Sequence, residues 1–324
     1  MVLRALAPRP EDRYANMQEF MQQFDLACGV NAGSGIAKPI TPEPRNVPLV
    51  RGITNPSTPA VQARILHGDS SGRQQAVRPH ISSGSAWEKC QEGDQLLKQQ
   101  LYSQALHAYE EALQMEPNNL YAWNGKGTAL YSQGNYKKAY ESFKRAAEIS
   151  PENAFVWVSM GLTLHRLQRF QQAVVHFERA LSIDPDYVTA WNGKADALVD
   201  MNLPDEAVAT YKQALKIDSN SFQAWNGLGN ARLVMRDFPG AVDAYSRALL
   251  VNPLNAVAWC NKAEALIRCG RNRAALEALN EATELDKGYI RAWTLKAEVY
   301  EALGNYQEAQ KARKRAKPYR SLLN

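Results

Sequence analysis

The sequence predicts an all-α solenoid of seven helix-turn-helix units, preceded by a disordered linker and one short helix. Three observations carry that prediction. Six tryptophans, Trp123, Trp157, Trp191, Trp225, Trp259 and Trp293, stand 34 residues apart, and a fixed interval of this length marks a stacked-repeat architecture. Small residues recur in the same register. Apolar residues between them return at three- and four-residue steps, the period of a helix.

With position 1 of the repeat at Ala86, the units are 86–119, 120–153, 154–187, 188–221, 222–255, 256–289 and 290–323. Position 8 is always small, from Gly93 and Gly127 through Ala297, and positions 20 and 27 are always alanine, from Ala105 and Ala112 to Ala309 and Ala316. These let neighbouring helix backbones approach closely. Position 24 is aromatic in the first five units, as Tyr109, Phe143, Phe177, Tyr211 and Tyr245, and with the tryptophan it fills the space between units. A turn such as Gln133-Gly134-Asn135-Tyr136 separates the two helices, its glycine suited to a left-handed helix end. Proline at position 32 (Pro117, Pro151, Pro185, Pro253) stops the second helix because it lacks a backbone donor. One hairpin cannot bury its own apolar face, so the units must stack. Trp87 lies 36 residues before Trp123, two places off phase.

In this register the sequence resembles a tetratricopeptide repeat (TPR) array over residues 86–323, about three quarters of the chain. The resemblance implies a right-handed solenoid. Units 6 and 7 depart from it, with Leu279 and Arg313 at position 24 and Lys287 and Ser321 at position 32. A polar last unit is expected to act as a solvent-facing cap.

The resemblance also implies that the first helix of each unit lines a concave face used for binding, with positions 2, 5, 9 and 12 on one stripe. Unit 2 contributes Tyr121, Asn124, Thr128 and Tyr131, and unit 3 contributes Phe155. Units 4 and 5 contribute Asn192, Asp196, Asn226 and Asn230. Glu264 and Glu298 follow in units 6 and 7. The early groove reads as aromatic (Trp87, Tyr121, Tyr131, Phe155) and the later groove as acidic (Asp196, Glu264, Glu298, Glu301). Asn124, Asn192 and Asn226 form a spaced row of amides, able to donate to and accept from an extended backbone. The expected partner is a protein or peptide segment with apolar anchors and a basic end. Against this stands a plainer reading, in which asparagine at position 5 is a surface choice in a Trp-Asn-Gly-Lys-Gly repeat variant. The family's carboxylate clamp is not expected, since no position 5 is lysine and position 9 is acidic in units 1, 4, 6 and 7. Lys126, Lys194, Lys262 and Lys296 at position 7 read as packed stems with their ammonium groups in water.

Residues 29–85 read as a disordered linker. Residues 29–84 hold seven prolines and seven glycines, too little apolar surface to offset ordering entropy. Residues 16–26 read as an amphipathic helix, with Met17, Phe20, Met21 and Phe24 on one stripe. With the preceding Pro10 and Arg13, residues 1–28 resemble the C-terminal end of a bacterial serine/threonine protein kinase domain. The phosphate loop, the ATP-binding lysine and the catalytic and metal-binding aspartates of that family are absent from this chain, so it is not expected to be an enzyme. Two readings follow: a non-catalytic interaction scaffold serving as the docking or sensory arm of a bacterial kinase, or an incomplete record of an active kinase with C-terminal repeats.

Net charge is +5, from 38 basic and 33 acidic residues, too mild for a dedicated nucleic-acid binder. No apolar run reaches the roughly 18 to 20 residues of a membrane helix, and a cytoplasmic location is expected by default. Cys28, Cys90, Cys260 and Cys269 form no metal or disulfide spacing. No cofactor or metal is expected, and His165 reads as a lone packing residue. The basic run from Lys311 to Arg320 reads as a solvated last helix, its cations suiting the helix C-terminus, ahead of a lipid or nucleic-acid contact.

Overall fold

The computed structural model describes residues 84–316. The kinase-like stub and the expected linker up to residue 83, together with Lys317 and Arg320, lie outside these residues, and Gly84 and Ser85, expected in the linker, begin the first helix. The described residues form fourteen helices in seven hairpins: α1 Gly84–Lys98, α2 Tyr102–Met115, α3 Leu120–Ser132, α4 Tyr136–Ile149, α5 Ala154–Arg166, α6 Phe170–Ile183, α7 Val188–Asp200, α8 Pro204–Ile217, α9 Phe222–Val234, α10 Phe238–Val251, α11 Ala256–Arg268, α12 Asn272–Leu285, α13 Ile290–Ala302 and α14 Tyr306–Ala316. Each helix packs on the one before and the one after it, and the first helices of most neighbouring units also touch. Successive second helices make no contact of comparable extent, so the row of first helices is the shorter, inner arc of the solenoid.

The core is a series of seams between hairpins, and the repeat register explains it. Tyr109, Phe143, Phe177, Tyr211 and Tyr245 are at most 1% exposed. Each ring enters a notch where a larger residue has no room. A Cβ on Gly127 would stand 2.6 Å from Phe143, and one on Gly125 would stand 2.2 Å from Tyr109 of the preceding unit. Position 8 therefore admits the ring from its own hairpin, and Gly125, at position 6, admits the ring from the unit before.

The tryptophans fasten one unit to the next. Trp123, Trp157, Trp191, Trp225, Trp259 and Trp293 each donate an indole hydrogen bond to the carbonyl six residues earlier, at 2.7 to 2.8 Å. That carbonyl belongs to position 32 of the preceding unit. Unit 1 has Lys89 at this position instead, held by Glu92 and Glu111 at 2.9 and 2.7 Å. Its outer face is thus polar where the other units carry a seam. Position 7 adds a second fastening: Lys126 pairs with Glu110 at 2.9 Å and Lys194 with Glu178 at 2.8 Å. Lys126, Lys262 and Lys296 also lie 4.7 to 5.5 Å from the ring of their unit's tryptophan. Lys126, Lys194 and Lys296 thus reach across to the preceding unit, and Lys262 lies against the tryptophan of its own. Lys296 is only 9% exposed, and burial pushes its pKa down.

Every turn inside a hairpin is left-handed at position 15. Gly134, Gly270 and Gly304 have φ of 72° to 79°, while Gln100, Gln168, Asn202 and Arg236 adopt φ of 59° to 62°. The bonds Gly134 N–H to Tyr131 O and Asn135 N–H to Leu130 O, both 2.9 Å, close the helix end in the way a Schellman motif requires. At the other end of the repeat, Asn119, Ser221 and Asn255 cap the next helix by accepting from a backbone N–H three residues on.

The second helix of the last described hairpin is polar. Helix α14 buries only Ala309 and Ala312. Three of its cations are engaged: Lys311 pairs with Glu308 at 2.7 Å, Arg313 with Glu301 at 2.6 Å, and Arg315 lies 4.8 Å from the Trp293 ring.

Candidate functional site

The inner face is built from positions 2, 5, 9 and 12 of the first helices, and the structure gives these positions unequal roles. Position 9 faces two neighbours at once. Fifteen residues on, at position 24 of the same hairpin, a tyrosine hydroxyl donates back to it: Tyr109 to Asp94 at 2.6 Å, Tyr211 to Asp196, and Tyr245 to Asn230 at 2.7 Å. Where position 24 is Phe143 or Phe177, position 9 is Thr128 or Leu162. The acceptor is present where a hydroxyl must be satisfied, because a buried O–H without a partner is costly. Burial, then the facing carboxylate, pushes the Tyr109 and Tyr211 hydroxyls far above the ordinary phenol range.

Twenty-seven residues on, at position 2 of the following unit, a second side chain reaches the same group. At the first seam it is Tyr121, whose hydroxyl donates to Asp94. At the last it is Arg291, whose guanidinium donates to Glu264 and, at 3.0 Å, to Asn261. Arg291 thereby neutralises Glu264, which is only 9% exposed. The later groove is therefore less acidic than its side-chain count suggests, since Glu301 is also taken, by Arg313. Glu298 and Asp196 remain exposed to solvent. The protein crowding the Asp196 carboxyl pushes its pKa up, against the opposing pull of the Tyr211 hydroxyl and His165.

The aromatic end divides in the same way. Trp87 and Tyr121 are exposed and lean together, ring centroids 5.5 Å apart. Their contact explains the two-place phase slip of Trp87: it belongs to the inner face and not to a seam. Phe155 is half-buried. Tyr131 is buried, packs edge-on against Tyr136, and accepts from Arg166 Nε at 3.0 Å. Thr128 is also buried, donating to the Asn124 carbonyl at 3.0 Å.

The amides lie at different depths. Asn124 is half-buried, whereas Asn192 and Asn226 are 5% and 1% exposed. They form the floor of the inner face between adjacent first helices, and Asn230 lies beside them at 7%. Between units 3 and 4, His165 stands 2.9 Å from Asp200 and edge-on to Phe170. His165 is thus part of an acidic neighbourhood on the inner face and not an isolated packing residue.

Sequence reading singled out neither Asp94, Arg166, Asp200 nor Arg291 as the partner of a particular group. The signal was present as paired spacing: position 9 varies with position 24 fifteen residues later and with position 2 twenty-seven residues later. Among the described residues no group of three His, Cys, Asp or Glu is placed to hold a metal ion, and no helix is long and apolar enough to cross a membrane. Cys90, Cys260 and Cys269 are unpaired.

Family models described as tetratricopeptide repeat match residues 90–154, 164–231, 235–299 and 290–316. Among solved structures, the chain is similar to PilW, a widely conserved type IV pilus biogenesis factor, at 23% identity and a TM-score of 0.59, covering 64% of this chain and 96% of that one. It is also similar to a tetratricopeptide repeat protein from Parabacteroides merdae, at 14% identity and a TM-score of 0.58, covering 74% and 96%. A third similar structure is pilF of Pseudomonas aeruginosa, at 17% identity and a TM-score of 0.57, covering 66% and 97%. At these identities the likeness is one of fold. No curated protein matches the chain.

Proposed function

We propose, from the premise that the chain belongs to the tetratricopeptide repeat family, that it is a non-catalytic scaffold that binds a protein segment along its inner face. The observation that carries this reading is the chemistry left open there. Exposed Trp87 and Tyr121 stand at one end, and in the middle Asp196 is open to solvent with no ion pair among the described residues. Apolar anchors of the segment pack on Trp87, Tyr121 and Phe155. Asn124 offers its amide to the segment's backbone, over a floor of Thr128, Asn192, Asn226 and Asn230. A basic residue of the segment meets Asp196 and Asp200, with Glu298 extending the negative surface. The scaffold acts in the cytoplasm.

A display library of random peptides selected on the full chain tests this. Enriched peptides should combine apolar residues with lysine or arginine. Asp196→Asn with Asp200→Asn should weaken them by about fivefold, the scale of a partly screened charge contact, without shifting the unfolding midpoint by more than a few degrees. A library that enriches nothing, or binders indifferent to both substitutions, would overturn it.

Attachment to a bacterial serine/threonine kinase, with this chain as its docking or sensory arm, is proposed on Pro10, Arg13 and the Met17-Phe20-Met21-Phe24 stripe. Genomic DNA upstream of codon 1 should stay open through a kinase domain. A stop codon just upstream, with transcripts starting at Met1, would overturn the attachment and leave the scaffold.

A further inference from the structure

The first seam of the array holds a carboxyl group that no described residue pairs with a cation. Asp94 is half-buried on α1, and its two oxygens accept from Tyr109 at 2.6 Å and from Tyr121. Both donors are neutral. Burial and the adjacent carboxylate push the two hydroxyls well above the ordinary phenol range, so both stay protonated and act as donors. Each oxygen has a second lone pair. Among the described residues Asp94 makes no ion pair, and Lys89 on the same helix is held by Glu92 and Glu111.

Beside this carboxyl stands the exposed Tyr121 ring, and beside that the exposed Trp87 ring. Trp87 lies two turns before Asp94 on the same face of α1. The Tyr121 ring has its hydroxyl on Asp94 and its centroid 5.5 Å from that of the indole, the two rings tilted at 53° and the residues Trp87 and Tyr121 exposed by 43% and 44%. Aromatic faces carry a negative quadrupole that attracts cations. A carboxylate behind a tilted pair of exposed rings is therefore a receptor for one positive charge.

The chain contains an internal counterpart. Glu264 occupies the same repeat position as Asp94, and Arg291 the same position as Tyr121. At that seam the carboxylate holds a guanidinium. The first seam has the acid but supplies a ring in place of the arginine.

We propose that Trp87, Tyr121 and Asp94 form a recognition site for an arginine side chain of the bound protein segment. The planar guanidinium stacks on the indole while its N–H groups reach the free lone pairs of Asp94. This rests on the inner-face reading above and sharpens it: the N-terminal end selects a cation, where aromatic composition alone suggested only an apolar anchor.

The test uses the full chain with its indole N–H groups labelled by ¹⁵N, the Trp87 resonance being assigned through Trp87→Phe. Three probes are titrated: acetyl-Gly-Leu-Arg-Leu-Gly-amide and its counterparts with lysine or citrulline in the centre. Citrulline keeps the planar shape and removes the charge. The arginine peptide should shift the Trp87 resonance saturably and bind about tenfold more tightly than the citrulline peptide. Asp94→Asn, which retains an acceptor for a tyrosine hydroxyl, should erase that ratio. Equal binding of arginine and citrulline peptides would overturn the cation site, and tighter binding of lysine than arginine would overturn the guanidinium preference. Shifts at other groove resonances with none at Trp87 would overturn the site and leave the inner-face reading standing. No shift with any probe would count against both. The ratio between arginine and citrulline on the unmutated chain keeps the test decisive even where Asp94→Asn fails to fold.

Discussion

The two ends of the inner face use the same pair of repeat positions for opposite purposes. At the first seam, position 9 is Asp94 and position 2 of the next unit is Tyr121, so the carboxyl meets a neutral hydroxyl and no cation among the described residues. At the last seam the pair is Glu264 and Arg291, so a guanidinium cancels the charge inside the chain. One geometry thus serves recognition at one end and closure at the other. Identical backbone placement does not fix function; the side chain at position 2 decides whether the acid faces a partner or is consumed.

The largest expected effect breaks the aromatic packing of the first five units, away from the last seam. Phe143→Ala removes a ring that is 0% exposed from its glycine notch and should cost about 3–5 kcal/mol in urea unfolding. A loss below about 1 kcal/mol would mean that the notch collapses and the seams are softer than their packing implies. Next, Arg291→Met should cost about 2 kcal/mol, because it strands a nearly buried Glu264 without a counter-charge. Tyr121→Phe should cost no more than about 1 kcal/mol, since it removes one hydrogen bond from an acid that still holds Tyr109. Equal losses from the two would erase the distinction between the ends.

Smaller effects sharpen the contrast between seam and surface. Arg236 adopts φ 62° in the turn where units 2, 6 and 7 use glycine. Arg236→Gly should therefore stabilise by about 0.5 kcal/mol, the relief of left-handed strain less the added chain entropy. A midpoint that falls would show that the Arg236 side chain contributes more than its backbone costs. Finally, His176 is packed against Trp157 with its Nε2 3.2 Å from the Tyr140 hydroxyl, and burial pushes its pKa down. A histidine depressed in the folded state favours folding above its unfolded pKa. Stability should begin to fall as pH drops through about 6.5 toward the folded value. His176→Gln should flatten that part of the curve, and an unchanged slope would assign the loss to other groups.

Much of this was legible before any coordinates. The tryptophan interval, the small residues at positions 8, 20 and 27 and the aromatic at 24 define the hairpins, because each is a local or same-register demand that stacking places on every unit alike. The left-handed turn could be read at Gly134 but not at Gln168 or Arg236, where tertiary packing overrides the residue's own preference. The stripe at positions 2, 5, 9 and 12 was legible as a face, yet Tyr131 and Asn226 prove to be buried in it and Trp87 exposed on it.

What the sequence determined alone is the period, the hairpin and the register of the seven units. These follow from patterning repeated seven times, in which each unit confirms the register of the others. What only the tertiary structure decided is which charges survive on the inner face. Asp94 and Glu264 are equivalent by position, and both are carboxylates. Their difference lies in a contact made 27 residues away by the neighbouring unit. Electrostatic character depends on the distance between groups and on what separates them from water, and neither quantity is written in the order of the residues.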